Sequence, residues 1–186
     1  MSQGGSGGDP REARSGAELA IADLVAPNLA VLFCGINPGM VSGATGLHFA
    51  RPGNRFWKVL CAAGFTDRVL APPEQVQLLA SGIGITNLVD RATTGAADLS
   101  SAELRAGADV LEDKVRALSP KVVAFLGMQA YRLAFRRPRA AVGLQGETLG
   151  PASVWLLPNP SGLQARYQLP ELVTMFGELH RFAMAG

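Results

Sequence analysis

Short apolar runs along the chain alternate with stretches whose apolar residues recur at helical spacing. Four runs have the length and continuity of strands buried on both faces, at 29–34, 83–89, 121–126 and 154–157. Helical patterns or helix-start signals lie at 17–25, 54–63, from 73 onward, and at 100–118, 127–135 and 170–182. This order predicts a parallel sheet covered by helices on both faces, an α/β sandwich.

Composition narrows the class of protein. The 186 residues are 48% hydrophobic and 17% charged, which is enough apolar material for one domain with a sizeable core. No apolar run approaches the roughly 18 residues that a membrane-spanning helix needs. Residues 1–16 are rich in glycine and serine and lack the apolar segment of a signal peptide. We therefore expect a disordered tail over 1–16, a single domain over 17–186 and a cytoplasmic protein without membrane contact.

Few side chains are available for metal binding. Cys34 and Cys61 each lie in an apolar stretch, which is typical of small core residues rather than nucleophiles. His48 and His180 are far apart and have no ligand spacing. The sequence therefore predicts neither a disulfide framework nor a metal site.

The basic residues are concentrated towards the end of the chain. Net charge is only +2, but seven basic and three acidic residues follow Leu118. The densest cluster comprises Arg132, Arg136, Arg137 and Arg139. Such a cluster is either a solvated helix end or a patch that contacts phosphates, and composition leaves both open.

The first predicted strand ends in a tight turn, Gly35-Ile36-Asn37-Pro38-Gly39. Its glycines and proline favour a sharp bend that presents the backbone and the Asn37 side chain to a ligand. The segment lacks the glycine spacing of a dinucleotide site and the Lys-Ser/Thr pair of a triphosphate site. It is therefore either an ordinary strand-to-loop turn or a binding loop of another kind.

A second unusual segment, 157–166, follows the last predicted strand. It combines rigid prolines and small residues with an apolar tip at Leu163 and a nearby cation at Arg166. A wedge that enters a base stack needs an apolar tip, a closely approaching backbone and a cation for phosphate. The segment therefore predicts contact with DNA.

Taken together, five segments make the chain resemble a known family. They are FCGINPG at 33–39, NRFWK at 54–58, AGFTDR at 63–68, LVDR at 88–91 and LPNPSGL at 157–163. In these segments the chain resembles the mismatch-specific (G:T/U) uracil-DNA glycosylases, the thymine-DNA glycosylase branch of the uracil-DNA glycosylase superfamily. The resemblance extends over roughly 23–182.

The resemblance implies a fold, an activity and a partner. The fold is a three-layer α/β/α sandwich around a short, mainly four-stranded parallel sheet. The activity is base excision repair, in which uracil and related damaged or mismatched pyrimidines are flipped out of double-stranded DNA and hydrolysed from their sugar. U:G is the implied pair, with T:G and ethenocytosine as further candidates. The resemblance also implies a nucleoid-associated monomer that uses no metal or organic cofactor.

The same resemblance assigns roles to residues that follow the first strand. Asn37 matches the residue that holds the hydrolytic water, and Phe49 matches the aromatic ring that stacks on the flipped base. The backbone of Ile36 would read the pyrimidine edge. Ordinary core packing is the alternative for Phe49. His48 stands where relatives do not require histidine.

The segment after the last strand also receives roles from the resemblance. Asn159 and Ser161 would contact the leaving base and the DNA backbone. Gly162, Leu163 and Gln164 would fill the space that the extruded base vacates, and Arg166 would brace the strand. Gln164-Ala165 stands where relatives commonly have a single residue before the arginine.

Asp90 is a further catalytic candidate, because the reaction builds positive charge on the sugar and a carboxylate would stabilise that charge. It ends the second predicted strand, on the same sheet edge as Asn37 if the strands are parallel. Alternatively, Asp90 pairs with Arg91 or Arg55, or caps the following turn.

Two other functions are open at this point. One is a lesion- or abasic-site-binding module without turnover, and the other is a domain that binds free nucleotides. The joint presence of Asn37, Phe49 and 159–163 favours the enzyme, because a pure binder does not need a residue that holds water.

Overall fold

Five strands form one sheet in the order β2-β1-β3-β5-β4 in the computed structural model, which describes residues 19–185. The strands are β1 Val31–Gly35, β2 Ile83–Asn87, β3 Val122–Leu126, β4 Gly143–Leu149 and β5 Ala152–Leu157. Four are mutually parallel, and β4 runs antiparallel to β5 at the edge. The predicted α/β class is confirmed. The tail predicted over 1–16 lies outside the described residues.

Helices connect the parallel strands. They are α1 Met40–Thr45, α2 Phe56–Ala62, α3 Ser101–Leu118, α4 Met128–Ala134 and α5 Leu169–Met184, with 3-10 helices at Pro72–Ser81 and Ala96–Asp98. The predicted capping box opens α3. The Ser100 hydroxyl accepts from the Glu103 N–H at 3.2 Å, and the Glu103 carboxylate accepts from the Ser100 N–H at 2.9 Å. Both bonds satisfy donors that the first turn would otherwise leave without partners.

Apolar side chains alternate between two cores along each central strand. In β1, Val31 and Phe33 face the core that includes α2 and α5, whereas Leu32 and Cys34 face the core that includes α3 and α4. A strand buried on both faces needs apolar residues at consecutive positions, which explains the continuous runs in the sequence. The result is the three-layer arrangement of helices, sheet and helices.

One expected helix is wrong. Residues 19–25, within the predicted helix 17–25, contain no helix, and Leu24 instead forms an antiparallel bridge with Ile85. Thr86 donates to the Asp23 carboxylate at 2.7 Å, and Lys114 pairs with the same carboxylate. Strand β2 is at the edge of the sheet, and this extended segment covers backbone groups that an edge leaves unpaired.

The parallel strands all end at one edge of the sheet, where the loops after β1, β2, β3 and β5 gather. In open α/β sheets the crevice at this edge is where ligands bind. Among the helices within 19–185, none has the length and apolar character needed to cross a membrane.

Candidate active site

A cavity of about 370 Å³ opens at the carboxyl edge of the parallel strands. Its wall contains seven of the ten predicted site residues: Ile36, Asn37, Phe49, Asn159, Ser161, Leu163 and Gln164. The turn after β1 and the segment after β5, more than 100 positions apart in the chain, therefore meet in one cleft.

Asn37 is oriented by hydrogen bonds at its amide nitrogen. Nδ2 donates to the carbonyl of Arg91 at 2.8 Å and to Oγ1 of Thr93 at 2.7 Å, with a longer contact of 3.3 Å to its neighbour's carbonyl. A carbonyl oxygen can only accept, so the atom that faces Arg91 must be the nitrogen. Among the hydrogen bonds described for residues 19–185, none engages Oδ1. The acceptor of Asn37 is therefore available to a molecule in the cleft.

Thr93 completes this arrangement and was not predicted from the sequence. Its hydroxyl donates to the carbonyl of Gly95 at 2.8 Å, so the same oxygen accepts from Asn37. Its N–H donates to the carbonyl of Pro38 at 3.1 Å, and its exposed fraction is only 6%. A single threonine in a loop belongs to no recognisable motif. Its position soon after the second strand could have indicated that it lies near the cleft.

The ring of Phe49 is both packed and accessible to the cleft. It stacks on Phe56 with a centroid separation of 3.9 Å and an interplanar angle of 25°. Phe56 belongs to a buried aromatic cluster that includes Phe33. Phe49 also lines the cavity and has a positive φ of 51°, a conformation that costs energy for a residue with a side chain. The Phe49 ring therefore packs against the core and also forms part of the wall that faces a ligand.

Asn87, at the end of β2, is a second residue that sequence reasoning missed. It lines the cavity with an exposed fraction of 7%. A Cβ added at Gly35 would lie 2.7 Å from Asn87 Oδ1 and 3.7 Å from the Phe49 ring. The glycine at 35 therefore leaves the space in which this carboxamide and this ring approach each other. The signal in the sequence was a polar pair, Thr86 and Asn87, inside an otherwise apolar run.

His48 is buried and lines the same cavity. Its Nε2 lies 3.1 Å from the carbonyl oxygen of Ala22, which can only accept, so Nε2 carries the hydrogen. Burial lowers the pKa of the imidazole, more than the hydrogen bond to Ala22 raises it, and this favours the neutral form. Nδ1 of that neutral tautomer is a hydrogen-bond acceptor.

The segment 158–166 is shaped by short-range bonds. The Asn159 side chain accepts from the Ser161 N–H at 3.0 Å, and the Ser161 hydroxyl accepts from the Leu163 N–H at 3.3 Å. Leu163 is 70% exposed at the rim of the cavity. Its side chain is therefore not part of the core and is accessible to a molecule at the mouth of the cleft.

Three predicted site residues lie outside the cavity wall. Gly162 packs against the backbone of Gly53, and Arg166 is exposed with its guanidinium carbon 5.4 Å from the ring centre of Tyr167. Asp90 is also exposed and does not line the cavity.

The ion-pair alternatives for Asp90 do not hold among residues 19–185. Arg91 pairs with Glu103 at 2.8 Å, and the Arg55 guanidinium donates to backbone carbonyls. The position of Asp90 therefore supports neither a direct contact with the cleft nor the expected pairing.

Half of the arginine cluster has a structural role. Arg132 donates to the carbonyl of Ala140 at 2.7 Å, and Arg137 pairs with Glu147 at 3.1 Å. These bonds hold the turn between α4 and β4.

The cysteines and other potential metal ligands lie apart. Cys34 is buried between sheet and helices, and its burial raises the pKa of the thiol far above the usual range. Within 19–185, no group of three His, Cys, Asp or Glu side chains converges as metal ligands would.

Comparison with known proteins identifies the family. The model of the uracil DNA glycosylase superfamily matches residues 22–179, most of the chain. The fold is similar to the solution NMR structure of a "putative Uracil DNA glycosylase" from Methanosarcina acetivorans, with a TM-score of 0.53 and 16% sequence identity. That match covers 88% of this chain and 98% of the other, and at this identity it shows a shared fold. The chain belongs to the uracil-DNA glycosylase superfamily.

Proposed function

We propose that this protein is a monofunctional DNA glycosylase of the mismatch-specific type. It hydrolyses the N-glycosidic bond of uracil, and of related damaged or mismatched pyrimidines, in double-stranded DNA and leaves an abasic site. The observation that carries the proposal is the fixed orientation of Asn37. Its nitrogen is engaged by acceptors of the loop after β2, so its oxygen is available in a cleft of suitable volume for one base.

The first step is extrusion of the target nucleotide, because a stacked base hides its glycosidic bond. Unpairing and unstacking cost a few kcal/mol and less for a mismatched base, which favours U:G over U:A. Leu163 is the apolar side chain that occupies the vacated space, since it is exposed at the rim of the cleft. Gly162 and Gln164 flank it, and Arg166 offers a cation to the phosphate backbone.

The extruded base enters the cleft beside Phe49, whose ring is backed by Phe56 and stacks on the pyrimidine. Polar groups around the ring read the edge of the base. They are the backbone of Ile36, the side chains of Asn87 and Asn159, and the Nδ1 acceptor of His48. An acceptor and a carboxamide suit the imide N–H and carbonyl oxygens of uracil.

Hydrolysis then depends on a positioned water molecule. The cavity wall within 19–185 contains no Asp or Glu, so the oxygen of Asn37 steers the water as a neutral acceptor. A carboxamide is a poor base, and this suits a dissociative reaction in which the sugar is already cationic when water attacks. Asp90 remains in the proposal as an electrostatic stabiliser that acts from outside the cleft, with its charge screened by solvent.

A cleavage assay with one candidate base at a time tests this proposal. Duplexes with uracil, thymine or ethenocytosine opposite guanine or adenine are incubated with excess protein, and abasic sites are cleaved with alkali. We expect release of uracil opposite guanine to be fastest. Tight duplex binding without release of any base would instead indicate a lesion-binding module. Absence of duplex binding, with affinity for free nucleotides, would indicate a nucleotide-binding domain.

A further inference from the structure

Arg55, which precedes α2, is bonded to the segment that carries Leu163. Its guanidinium donates to four backbone carbonyl oxygens of that segment. The acceptors are Ser161 (2.7 Å), Tyr167 (2.7 Å), Gln164 (3.0 Å) and Pro160 (3.4 Å). The backbone N–H of Arg55 also donates to Pro160 at 3.0 Å. One half-buried side chain thus ties together both ends and the middle of the loop 160–167.

Only arginine offers this set of bonds. Its planar group presents five N–H donors in fixed directions, whereas a lysine ammonium is a single point with three rotatable donors. Within 19–185, Arg55 has no ion pair with a carboxylate, so its donors serve the loop carbonyls. A charged donor also makes a stronger hydrogen bond to a carbonyl than a neutral one does.

Bonds within the loop fix its local shape, so its contacts with the rest of the protein determine where the tip lies. Leu163 is 70% exposed, so burial of its own side chain contributes little to fixing its position. The loop contains no helix or strand at 158–166. Gly162 packs against Gly53, next to Arg55, and Tyr167 at the end of the loop packs against the core.

We propose that Arg55 is a positioning residue that holds the loop 160–167 in the conformation in which Leu163 enters the duplex. It acts on base extrusion and has no part in the hydrolysis at Asn37. The inference rests on the proposed function, because it assigns Leu163 to the wedge.

Base extrusion can be measured without turnover. The test uses the Asn37→Ala background and a U:G duplex with 2-aminopurine beside the uracil, whose fluorescence rises when its neighbour leaves the stack. With saturating protein, we expect the added substitution Arg55→Lys to lower that rise to below about half. Leu163→Ala, which removes the inserting side chain itself, shows how small the rise becomes without the wedge. Arg116→Ala is the matched control, because it removes an exposed arginine at the far end of α3, and it should leave the rise unchanged.

Excision by the otherwise wild-type chain provides the second readout. Single-turnover release of uracil from the U:G duplex should fall about tenfold or more with Arg55→Lys. An unchanged fluorescence rise with Arg55→Lys would overturn the inference. So would a lowered rise accompanied by unfolding below the assay temperature, which is measured by circular dichroism, because the loss would then be global. If the wild-type chain releases no base but extrusion still depends on Arg55, the proposed function fails and this inference stands.

Discussion

Asn37 and Thr93 are joined by a 2.7 Å hydrogen bond in which the carboxamide nitrogen donates to the threonine hydroxyl. The threonine hydroxyl in turn donates a hydrogen bond to the carbonyl of Gly95 at 2.8 Å. The carbonyl of Gly95 can only accept, so the threonine hydroxyl donates to it and accepts from Asn37, which fixes the polarity of these bonds. The loop after β2 thereby determines which atom of Asn37 is available in the cleft.

Removal of the Thr93 hydroxyl tests this relationship. In Thr93→Val the carboxamide loses one acceptor and gains freedom to rotate, so we expect single-turnover excision of uracil to fall about tenfold. Affinity for the U:G duplex should stay nearly unchanged, because Thr93 is only 6% exposed and offers little surface to the DNA. Thr93→Ser keeps the hydroxyl and should keep most of the rate. Equal rates for the valine and serine variants would show that the hydroxyl has no role.

The close packing of Gly162 on Gly53 leads to a second expectation. A Cβ at 162 would collide with the carbonyl oxygen of Gly53, so Gly162→Ala must displace the loop. We expect excision from the U:G duplex to fall about tenfold or more, because insertion of Leu163 requires an ordered loop. Gly146→Ala in β4 is the matched control, since a Cβ there meets no atom within 4 Å. If Gly162→Ala excised uracil as fast as the control does, the position of the loop would have no effect on excision.

Burial of His48 makes stability depend on pH. The pKa of this imidazole is lowered in the folded state, whereas the unfolded chain titrates near the ordinary value of about 6.5. The unfolded state therefore binds the proton first, and the free energy of unfolding should decrease as pH falls below about 6.5. Urea unfolding of wild type and His48→Gln between pH 5 and 8 measures this effect. A decrease of the same size in both proteins would contradict it, and His180→Gln controls for the loss of an imidazole.

Substitution of Asp90 tests whether its carboxylate acts on the reaction by direct contact or through a long-range charge effect. An exposed carboxylate outside the cleft acts through screened charge, so we expect Asp90→Asn to slow excision by about two- to tenfold, with the difference shrinking at high salt. A loss of about 100-fold or more would indicate direct contact with the reacting atoms. A rate within about twofold of wild type would remove Asp90 from the reaction. Single-turnover rates at two salt concentrations separate these outcomes.

The main architecture was predictable because the central strands are buried on both faces. Their apolar runs are continuous, and parallel strands send their loops to one edge, which places the turn at 35–39 near the segment 157–166. Strand β4 was not predictable in the same way. It lies at the edge, carries two glycines and alternates between partly buried and exposed residues, so no apolar run marks it.

Single polar residues account for most of what the sequence did not reveal about the cleft. Thr93 and Asn87 belong to no motif, and they are identified only by the bond from Asn37 to Thr93 and by the close approach of Asn87 to Gly35. The contacts of Arg55 join positions more than 100 residues apart. The extended segment 19–25 was misread because its apolar residues serve the edge of β2 rather than one face of a helix.

The central claim is that the neutral side chain of Asn37 positions the water that attacks the sugar. Its most direct test is single-turnover excision of uracil from a U:G duplex by Asn37→Ala, together with the affinity of the variant for the same duplex. We predict that binding is retained and that excision is about 100-fold or more slower than in wild type. Excision by Asn37→Ala at the wild-type rate would contradict the account.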